Sequence, residues 1–362
     1  MNPNVPQEVI DAFTSYTPGL PYFEAGTTTV AAIGDGLINN TYKVTCELQS
    51  NFLLQKINTE VFKHPEQVQH NCTYLSTYTE MEFTNIRIPY IKEFAKEQSL
   101  YQDSNGDYWR AFEFIEDGYS IPIAENPQQA RATAITFAKF SAAFDDMNVE
   151  QLFETIPNFH NLNYRYQQFD EALQSKLLER KAKAQPLTED LINRNRYKKL
   201  YDEIASYAAF PKRVVHHDAK ISNVLFSKKT GKVICPVDLD TTMPGYFISD
   251  PGDLIRSMAC SADENCIDFE NLHIRKDYYQ AITEGYFSVM EKSFTTAEKK
   301  YFHCSGLLII YMQALRFITD YLKGDIYYKT KYTEHNFDRA LNQFTLLKSL
   351  ETFLKKEYNF SC

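Results

Sequence analysis

The first third of the chain alternates short apolar runs with turn residues, a pattern that is typical of strands. Val30–Ile33, Tyr42–Cys46 and Phe52–Ile57 are three such runs, and Tyr108–Ile115 is a further one. Between them, Pro65–Glu80 places apolar residues at helical spacing behind a proline that suits the first helical position. After a short N-terminal helix, the pattern therefore predicts three strands, one helix and further strands.

From Pro127 onward the spacing of apolar residues becomes helical. The predicted helical segments are Pro127–Phe144, stretches within Leu162–Tyr207, Asp277–Val289, Thr296–Leu322 and Asn336–Glu357. Three short apolar strands interrupt them, at Arg213–Val215, Val224–Ser227 and Val233–Val237. This change of pattern predicts an α+β fold with two lobes. A small antiparallel-sheet N-terminal lobe covers residues 1–117, and a larger, mostly helical C-terminal lobe covers residues 118–362.

Composition narrows the class of function. The chain has 38 Lys and Arg against 47 Asp and Glu, a formal net charge of −9, so it lacks the cationic excess with which proteins bind nucleic acid. Its seven cysteines form no C-x-x-C pair, which argues against a disulfide framework or a zinc site and favours the reducing cytoplasm. The longest apolar run, Leu307–Leu315, is too short to span a bilayer, which needs roughly 20 residues, and no signal peptide is expected.

The segment from His216 to Asn223 carries the most chemical information. It reads H-x-D-x-x-x-x-N between two apolar strands. Phosphoryl transfer needs a carboxylate that accepts the proton of the attacking hydroxyl and, a few residues on, an oxygen ligand for the metal that neutralises the phosphates. Asp218 is predicted to be the catalytic base and Asn223 the metal ligand. Lys220 is spaced to reach the transferring phosphoryl group as a point charge.

Two further acids, Asp238 and Asp240, follow the next apolar strand. Because side chains two residues apart share one face of a strand, both carboxylates are expected to face a metal ion. Carboxylate oxygens are preferred ligands of Mg²⁺. We predict that Asp238 bridges Mg²⁺ to the phosphates, and that Asp240 holds a second ion or orients the ligands of the first.

Signals for a nucleotide lie in the N-terminal lobe. Gly34 and Gly36 sit between two strands, as a loop covering phosphates should. Lys56 ends the third strand, where a lysine can reach the α- and β-phosphates of ATP. A helix acid is expected to hold this lysine, and the candidates are Glu66, Glu80 and Glu82. The backbone at Glu113 and Ile115 is predicted to bond the adenine edge.

Several longer motifs accompany these residues. They are G-x-I-N-x-T-Y at Gly36–Tyr42, L-Q-K-I-N at Leu54–Asn58, F-I-E at Phe114–Glu116, I-P-x-F-H at Ile156–His160, H-x-D-x-K-x-x-N-V-L-F at His216–Phe226, V-D-L-D-T-x-M-P-G at Val237–Gly245, D-x-G-D-x-I-R at Asp250–Arg256 and R-F-x-T-D-Y-L-x-G-D-x-Y at Arg316–Tyr327. With them the chain resembles the aminoglycoside phosphotransferase and choline kinase-like superfamily, and within it the N-acetylhexosamine 1-kinases.

The resemblance implies a two-lobed protein-kinase-like fold that uses ATP and Mg²⁺. It also implies phosphorylation of the anomeric hydroxyl of N-acetylglucosamine or N-acetylgalactosamine to the sugar 1-phosphate, so the expected partner is a small sugar. Arg316 and Tyr327 match positions that contact the sugar. Asp253 matches a position that braces the catalytic loop through backbone hydrogen bonds, and His216 is expected to be a packed support of that loop.

Two other functions stay open at this point. A different small-molecule kinase could act on a cationic alcohol such as choline or on an aminoglycoside, which an acidic, Tyr-rich lobe would attract. Arg316 argues against it, because an arginine in the pocket repels a cation. A catalytically inactive kinase-fold binding protein is the second alternative, and the intact residues Asp218, Lys220, Asn223 and Asp238 argue against that one.

Overall fold

The computed structural model describes most of the chain, namely residues 6–16, 28–33, 38–46, 50–82, 84–93 and 98–362. The fold is mixed α+β, with an antiparallel sheet in the N-terminal region and helices in the C-terminal region, which confirms the predicted fold class. The chain forms two compact units. The first comprises Met1–Tyr119, Glu150–Pro157 and Leu225–Met243, and the second comprises Ser120–Val149, Asn158–Val224 and Pro244–Cys362.

The described part of the first unit is built on a six-stranded sheet. Its strands are β1 (Thr28–Ala32), β2 (Asn40–Cys46), β3 (Phe52–Ile57), β4 (Ile91–Lys92), β5 (Tyr101–Gln102) and β6 (Tyr108–Glu113). They run antiparallel in the order β1-β2-β3-β6-β4, and β5 pairs with β6. The helices α1 (Gln7–Tyr16) and α2 (Pro65–Met81) belong to the same unit. Pro65 begins α2, where its missing N–H is not needed.

Alternation along β3 decides which side chains face which helix. Leu54 is buried in a core that includes Val9 of α1, and Lys56, two residues further on, lies on the same face. Ile57 is buried in a second core that includes Val68 of α2. Lys56 therefore lies on the face of the sheet that is covered by α1, away from α2.

Two smaller ladders flank the loops that carry the predicted chemistry. The strands β7 (Gly118–Ser120), β9 (Val224–Ser227) and β10 (Val233–Pro236) form a sheet in the order β10-β9-β7, and β8 (Arg213–Val215) pairs with β11 (Met243–Gly245). The turn between β9 and β10 contains Gly231 at φ 68°, a conformation that glycine adopts without a steric penalty. The predicted strands β8 and β9 are confirmed residue by residue, and β10 ends one residue before its predicted end at Val237. β7 and β11 were not predicted.

The second unit is mostly helical. Its helices are α3 (Pro127–Ala143), α4 (Leu162–Ala172), α5 (Leu178–Ile192), α6 (Arg196–Ser206), α7 (Ser249–Leu254), α8 (Lys276–Met290), α9 (Thr296–Tyr301), α10 (Cys304–Lys323) and α11 (His335–Tyr358). Nearly every residue of α10 is buried, as expected of a helix that is apolar on most of its faces. Among the described helices, none is long and apolar enough to cross a membrane.

One helix prediction is wrong. The pattern predicts a single helix from Thr296 to Leu322, whereas α9 ends at Tyr301 and α10 begins at Cys304. The start of α9 is defined locally by a capping box, in which Thr295 and Glu298 bond each other's backbone N–H groups. The end of α10 is as predicted, because Gly324 closes it at φ 95°.

Candidate active site

Asp218 lies in the loop between β8 and β9, in the second unit. The Nδ2 of Asn223 donates hydrogen bonds to the backbone oxygen and to Oδ2 of Asp218, both at 2.9 Å. The Nζ of Lys220 lies 2.9 Å from the same Oδ2. Burial opposes ionisation, but the charge and hydrogen bond of Lys220, helped by His216 and Asn223, hold the pKa of Asp218 below its usual value. The structure thus brings three predicted residues together around an ionised carboxylate.

Asp250 holds the backbone of this loop through hydrogen bonds. The prediction that Asp253 does so is wrong. The two carboxylate oxygens of Asp250 accept hydrogen bonds from the backbone N–H groups of His216, at 3.1 Å, and of His217, at 2.9 Å. Asp253 instead pairs with Arg256 at 3.2 Å. Both acids lie in the short helix α7, three residues apart. The sequence motif contains both and does not show which of them faces the loop.

The backbone of the catalytic loop is shaped by His217, which has φ 64°. Its Nδ1 lies 2.7 Å from Oγ of Ser249, and burial lowers its pKa to about 3, so the ring is neutral. Gly245 leaves room for this ring, since a Cβ at that position would lie 2.5 Å from Nε2 of His217. His216 packs its ring against Phe137 and is fully buried, as expected of a structural support.

Asp238 and Asp240 do not share one face, so the prediction that both carboxylates point the same way is wrong. β10 ends at Pro236, and Asp238 has the left-handed backbone conformation, φ 62° and ψ 60°, before a short 3₁₀ turn. Strand alternation no longer applies beyond this point. The side chain of Asp238 is exposed, whereas Asp240 is 2% exposed.

Asp240 is held inside the first unit by a network of hydrogen bonds. Arg110 on β6 forms a buried ion pair with its Oδ1, and the Nδ2 of Asn39 donates to its Oδ2 at 2.6 Å. The backbone oxygen of Asp240 accepts a hydrogen bond from Oγ1 of Thr155 at 2.6 Å. Gln55 on β3 in turn accepts from Nε of Arg110 at 2.9 Å. Both carboxylate oxygens are therefore bonded to protein groups.

Sequence reasoning missed Arg110. The strand pattern identified β6 but treated its alternate positions only as faces of a sheet. A signal was present, because a buried position of a strand rarely carries an arginine unless a buried acid pairs with it. Which acid pairs with it could not be read from the sequence, since Arg110 and Asp240 are 130 residues apart.

Lys56 is not held by any of the expected acids. Its Nζ lies 2.6 Å from Asp107 and 3.3 Å from Glu8 of α1. The expected partners were Glu66, Glu80 and Glu82, of which the first two belong to α2 and the third follows it. The prediction of these partners is wrong because Lys56 lies on the face of the sheet away from α2. Gly34 and Gly36, predicted to cover the phosphates, lie outside the described residues.

The backbone predicted to bond adenine is partly engaged already. The N–H of Glu113 donates to the oxygen of Tyr90 at 2.9 Å, and its side chain forms an ion pair with Arg87 at 2.9 Å. The oxygen of Ile115 accepts a hydrogen bond from the N–H of Gly118 at 2.8 Å. A carbonyl oxygen accepts two hydrogen bonds, so the carbonyl of Ile115 can bond a further donor.

Arg316 and Tyr327 lie close together in the second unit. The guanidinium carbon of Arg316 is 6.0 Å from the ring centre of Tyr327. Gly324 reverses the chain after α10, and Asp320 then holds the returning segment, because its Oδ1 and Oδ2 accept the N–H groups of Tyr327 and Tyr328, each at 2.8 Å. The turn therefore presents both tyrosines beside Arg316.

The fold defines a class of protein. The chain is similar to an aminoglycoside phosphotransferase from Alicyclobacillus acidocaldarius, with 13% identity over 98% of each chain and a TM-score of 0.60. It is also similar to a Plasmodium vivax ethanolamine kinase, with 14% identity over 88% of this chain and 82% of that one and a TM-score of 0.56. An amicoumacin kinase in complex with AMP-PNP and Ca²⁺ gives 14% identity over 94% of each chain and a TM-score of 0.58. These similarities show that the chain has the fold of these kinases.

The sequence places the chain within that class. Residues 29–271 match the model of the phosphotransferase enzyme family, APH. The chain belongs to this family. Its fold is that of the kinases compared above.

Proposed function

We propose that this kinase transfers the γ-phosphoryl group of ATP to the anomeric hydroxyl of an N-acetylhexosamine and forms the sugar 1-phosphate. The observation that carries the proposal is the ionised carboxylate of Asp218, bonded by Lys220 and Asn223. An acceptor hydroxyl needs a base in this form, because a protonated carboxyl cannot accept its proton.

Asp218 has the role of general base. Its carboxylate accepts the proton of the acceptor hydroxyl as the oxygen attacks the γ-phosphorus. Lys220, 2.9 Å from the carboxylate, lowers the pKa of Asp218 and places a positive charge next to the reacting group. Asn223 fixes the carboxylate through its amide N–H, so the orientation of the base does not depend on the acceptor.

The residues present fit Mg²⁺. Among the described residues, no group of three or more His, Cys, Asp or Glu side chains is placed to hold a metal. Mg²⁺ does not need such a group, because it keeps several waters and binds one or two protein oxygens together with phosphate oxygens. We assign the amide oxygen of Asn223 and the exposed carboxylate of Asp238 to it. When bound, the ion neutralises charge on the phosphates.

Asp240 has a different proposed role. Its two carboxylate oxygens are bonded to Arg110 and Asn39, so a second ion would have to displace a buried cation. We assign Asp240 to the orientation of the turn that carries Asp238, the second of the two roles that the sequence allowed.

For ATP, we keep the sequence assignments as proposals. Gly34 and Gly36 would cover the phosphates, and the backbone of Glu113 and Ile115 would bond the adenine. Lys56 would have to leave Asp107 and Glu8 to reach a phosphate. A lysine on a flexible stem can do this, because the ion pairs that it leaves are partly exposed and therefore weak.

For the acceptor, the proposal rests on Arg316 and Tyr327. A guanidinium donates several hydrogen bonds in a fixed geometry, and a tyrosine offers both a hydroxyl and an apolar ring face that can pack on a sugar. The alternative acceptor, a cationic amino alcohol or aminoglycoside, would be repelled by the guanidinium. The proposed acceptor is therefore a sugar without a positive charge.

The test is ATP turnover with a panel of acceptors at saturating Mg²⁺. Wild-type protein should phosphorylate N-acetylglucosamine or N-acetylgalactosamine and not choline or an aminoglycoside.

Asp218→Asn should lower kcat by about 10²-fold or more, because the amide cannot accept the hydroxyl proton, while thermal unfolding stays close to that of the wild type. Asp146→Asn, at an exposed position in the same unit, is the control and should be fully active. Turnover of choline without turnover of either sugar would overturn the proposed acceptor, and an active Asp218→Asn variant would overturn the proposed base.

A further inference from the structure

Two arginines of the second unit, Arg165 and Arg316, both contact Phe159. The Nη2 of Arg165 on α4 donates to the backbone oxygen of Phe159 at 3.0 Å, and its Nε donates to the same oxygen at 3.3 Å. The guanidinium carbon of Arg316 on α10 lies 5.1 Å from the ring centre of Phe159. Each guanidinium has one glutamine partner, Gln168 for Arg165 and Gln313 for Arg316. These contacts hold two positive charges near each other.

Neither charge is neutralised within the described part of the chain. Among the described residues, no carboxylate lies within 4 Å of the guanidinium of Arg165 or Arg316. Elsewhere in the same unit, arginines with carboxylate partners at salt-bridge distance are Arg180, Arg194, Arg196, Arg213, Arg256 and Arg339. Acids are not scarce, since the chain has nine more acidic than basic residues. An unpaired pair of half-buried arginines in such a chain therefore needs an explanation.

The electrostatics of the pair are unfavourable as it stands. Burial, followed by the charge of Arg316, lowers the pKa of Arg165 to about 10. The surrounding groups are aromatic. The guanidinium of Arg165 lies 5.4 Å from the ring centre of Tyr164, and that of Arg316 lies 5.6 Å from the ring centre of Tyr328. Aromatic rings stabilise a cation without neutralising it, so the net positive charge of the cluster remains.

The cluster is joined to the catalytic loop by a chain of contacts inside the second unit. The rings of Phe159 and His160 stack with their centres 4.7 Å apart. The Nε2 of His160 lies 4.0 Å from Oδ2 of Asp253. The Nδ1 of the same His160 lies 3.3 Å from Nδ1 of His217, the residue before Asp218 in that loop. The arginine pair therefore lies on the part of this unit that carries the proposed base.

We propose that Arg165 and Arg316 together bind an anionic group on the acceptor, so that the natural acceptor is a sugar bearing a carboxylate, sulfate or phosphate in addition to the hydroxyl that is phosphorylated. This inference rests on the proposed function and narrows its substrate class. Hydroxyl and amide groups of a neutral sugar would leave both positive charges uncompensated. A carboxylate or a sulfate ester matches the fork of a guanidinium and compensates one of the two charges, and a phosphate ester, with up to two negative charges, compensates both.

The test compares matched neutral and anionic acceptors. Initial rates are measured with N-acetylglucosamine, its 6-sulfate and its 6-phosphate, and with glucose against glucuronic acid. Each anionic form should have a KM roughly ten-fold to a hundred-fold below that of its neutral partner, the range expected for a charge-assisted hydrogen bond. The acceptor with the lowest KM identifies the kind of anion.

Variants separate recognition of the anion from general damage. Arg165→Gln should raise the KM for the anionic sugar by about ten-fold or more while changing the KM for the neutral sugar and for ATP much less. Arg316→Gln should raise the KM for both sugars, with the larger rise for the anionic one, and should leave the KM for ATP nearly unchanged. Arg165→Lys should restore part of the preference, because it restores the charge. Arg131→Gln, an exposed arginine on α3 of the same unit, is the matched control and should keep the full preference. Thermal unfolding checks that each variant is folded.

Binding without ATP distinguishes failure of this proposal from failure of the proposed function. Calorimetry is carried out with the same sugars on the wild type and on Arg165→Gln. Tight binding of anionic sugars that the variant loses supports the anion site even if no sugar is phosphorylated. Equal KM values and equal affinities for neutral and anionic forms would overturn it, and so would a preference that both glutamine variants retain.

Discussion

The chemistry of Asp218 depends on a few charged and polar neighbours rather than on its motif alone. Burial by itself would raise the pKa of this carboxyl and leave it a poor proton acceptor. Lys220 provides the largest opposing effect, and Asn223 adds a hydrogen bond to the ionised form. Asp250 and Asp253, buried in the same unit, have pKa values raised to about 7 and about 6. Similar side chains within one unit thus differ in protonation because of their immediate partners.

The effect of Lys220 on the pKa of Asp218 predicts that the pH dependence of catalysis shifts when Lys220 is replaced. In the wild type the lowered pKa of Asp218 keeps the base ionised until the pH falls below the usual range of an aspartate. Lys220→Met removes the largest cause of the lowering and leaves burial opposed only by His216 and Asn223, so the pKa rises and the acid limb of kcat/KM moves to higher pH. Lys220→Arg keeps the charge and should leave the limb close to its wild-type position. An unchanged acid limb in Lys220→Met would show that Lys220 does not hold the base ionised.

At the scale of elements, β10 and the turn after it show why two neighbouring acids differ in role. The left-handed backbone of Asp238 ends the strand alternation, so its side chain is exposed while Asp240 turns inward to Arg110. The 3₁₀ turn is then connected to three other segments, because β6 supplies Arg110, the residue before β2 supplies Asn39, and the 150–157 segment supplies Thr155. The buried ion pair therefore joins this turn to the sheet.

Removal of Arg110 should destabilise the protein strongly. Arg110→Met leaves the carboxylate of Asp240 buried without its cation, which typically costs about 3–5 kcal/mol of unfolding free energy. Arg87→Met breaks the exposed ion pair with Glu113 and should cost less than about 1 kcal/mol. Urea unfolding of both variants measures the difference. Equal losses in the two variants would contradict the structural role given to the buried pair.

At the scale of the whole molecule, acids with raised pKa values give the stability a definite pH dependence. The folded protein holds protons on Asp250 and Asp253 at pH values where the unfolded chain, with the ordinary pKa of aspartate, has released them. The folded state therefore binds more protons than the unfolded state between about pH 4 and about pH 7. By linkage, this contribution to stability falls as the pH rises through that range.

Asp250→Asn isolates this effect. The amide does not titrate, so the variant should lack the part of the pH dependence that comes from Asp250. As the pH rises from 5 to 8, the unfolding free energy of the wild type should fall relative to that of Asp250→Asn. Urea unfolding of both proteins at the two pH values measures this change. If the unfolding free energy of the wild type relative to Asp250→Asn is the same at both pH values, or is higher at pH 8, then Asp250 is ionised in the folded state at pH 5.

Much of the local structure could be predicted from the sequence. The strands over Phe52–Ile57, Arg213–Val215 and Val224–Ser227 agree residue by residue with the structure, because short apolar runs between turn residues have few other conformations. The predicted helix end at Leu322 agrees with the structure to within one residue, since α10 ends at Lys323 and Gly324 caps it. Asp218 and Asn223, which their spacing placed in one loop, are in contact, because only five positions separate them. In each case the deciding interactions lie within a few residues of one another.

Other features were decided by tertiary structure. Lys56 pairs with Asp107 and Glu8 because sheet alternation turns it toward α1, and no local pattern shows which helix covers which face. Asp240 is buried because Arg110, distant in sequence, lies on the neighbouring β6. Arg165 and Arg316 both contact Phe159 because α4 and α10 pack against each other. The sequence by itself determined the order of most elements and the loop that carries Asp218, since these depend on short-range sterics and periodicity. The partners of each buried charge were decided by the fold, because an ion pair depends on distance in space and can join residues far apart in the chain.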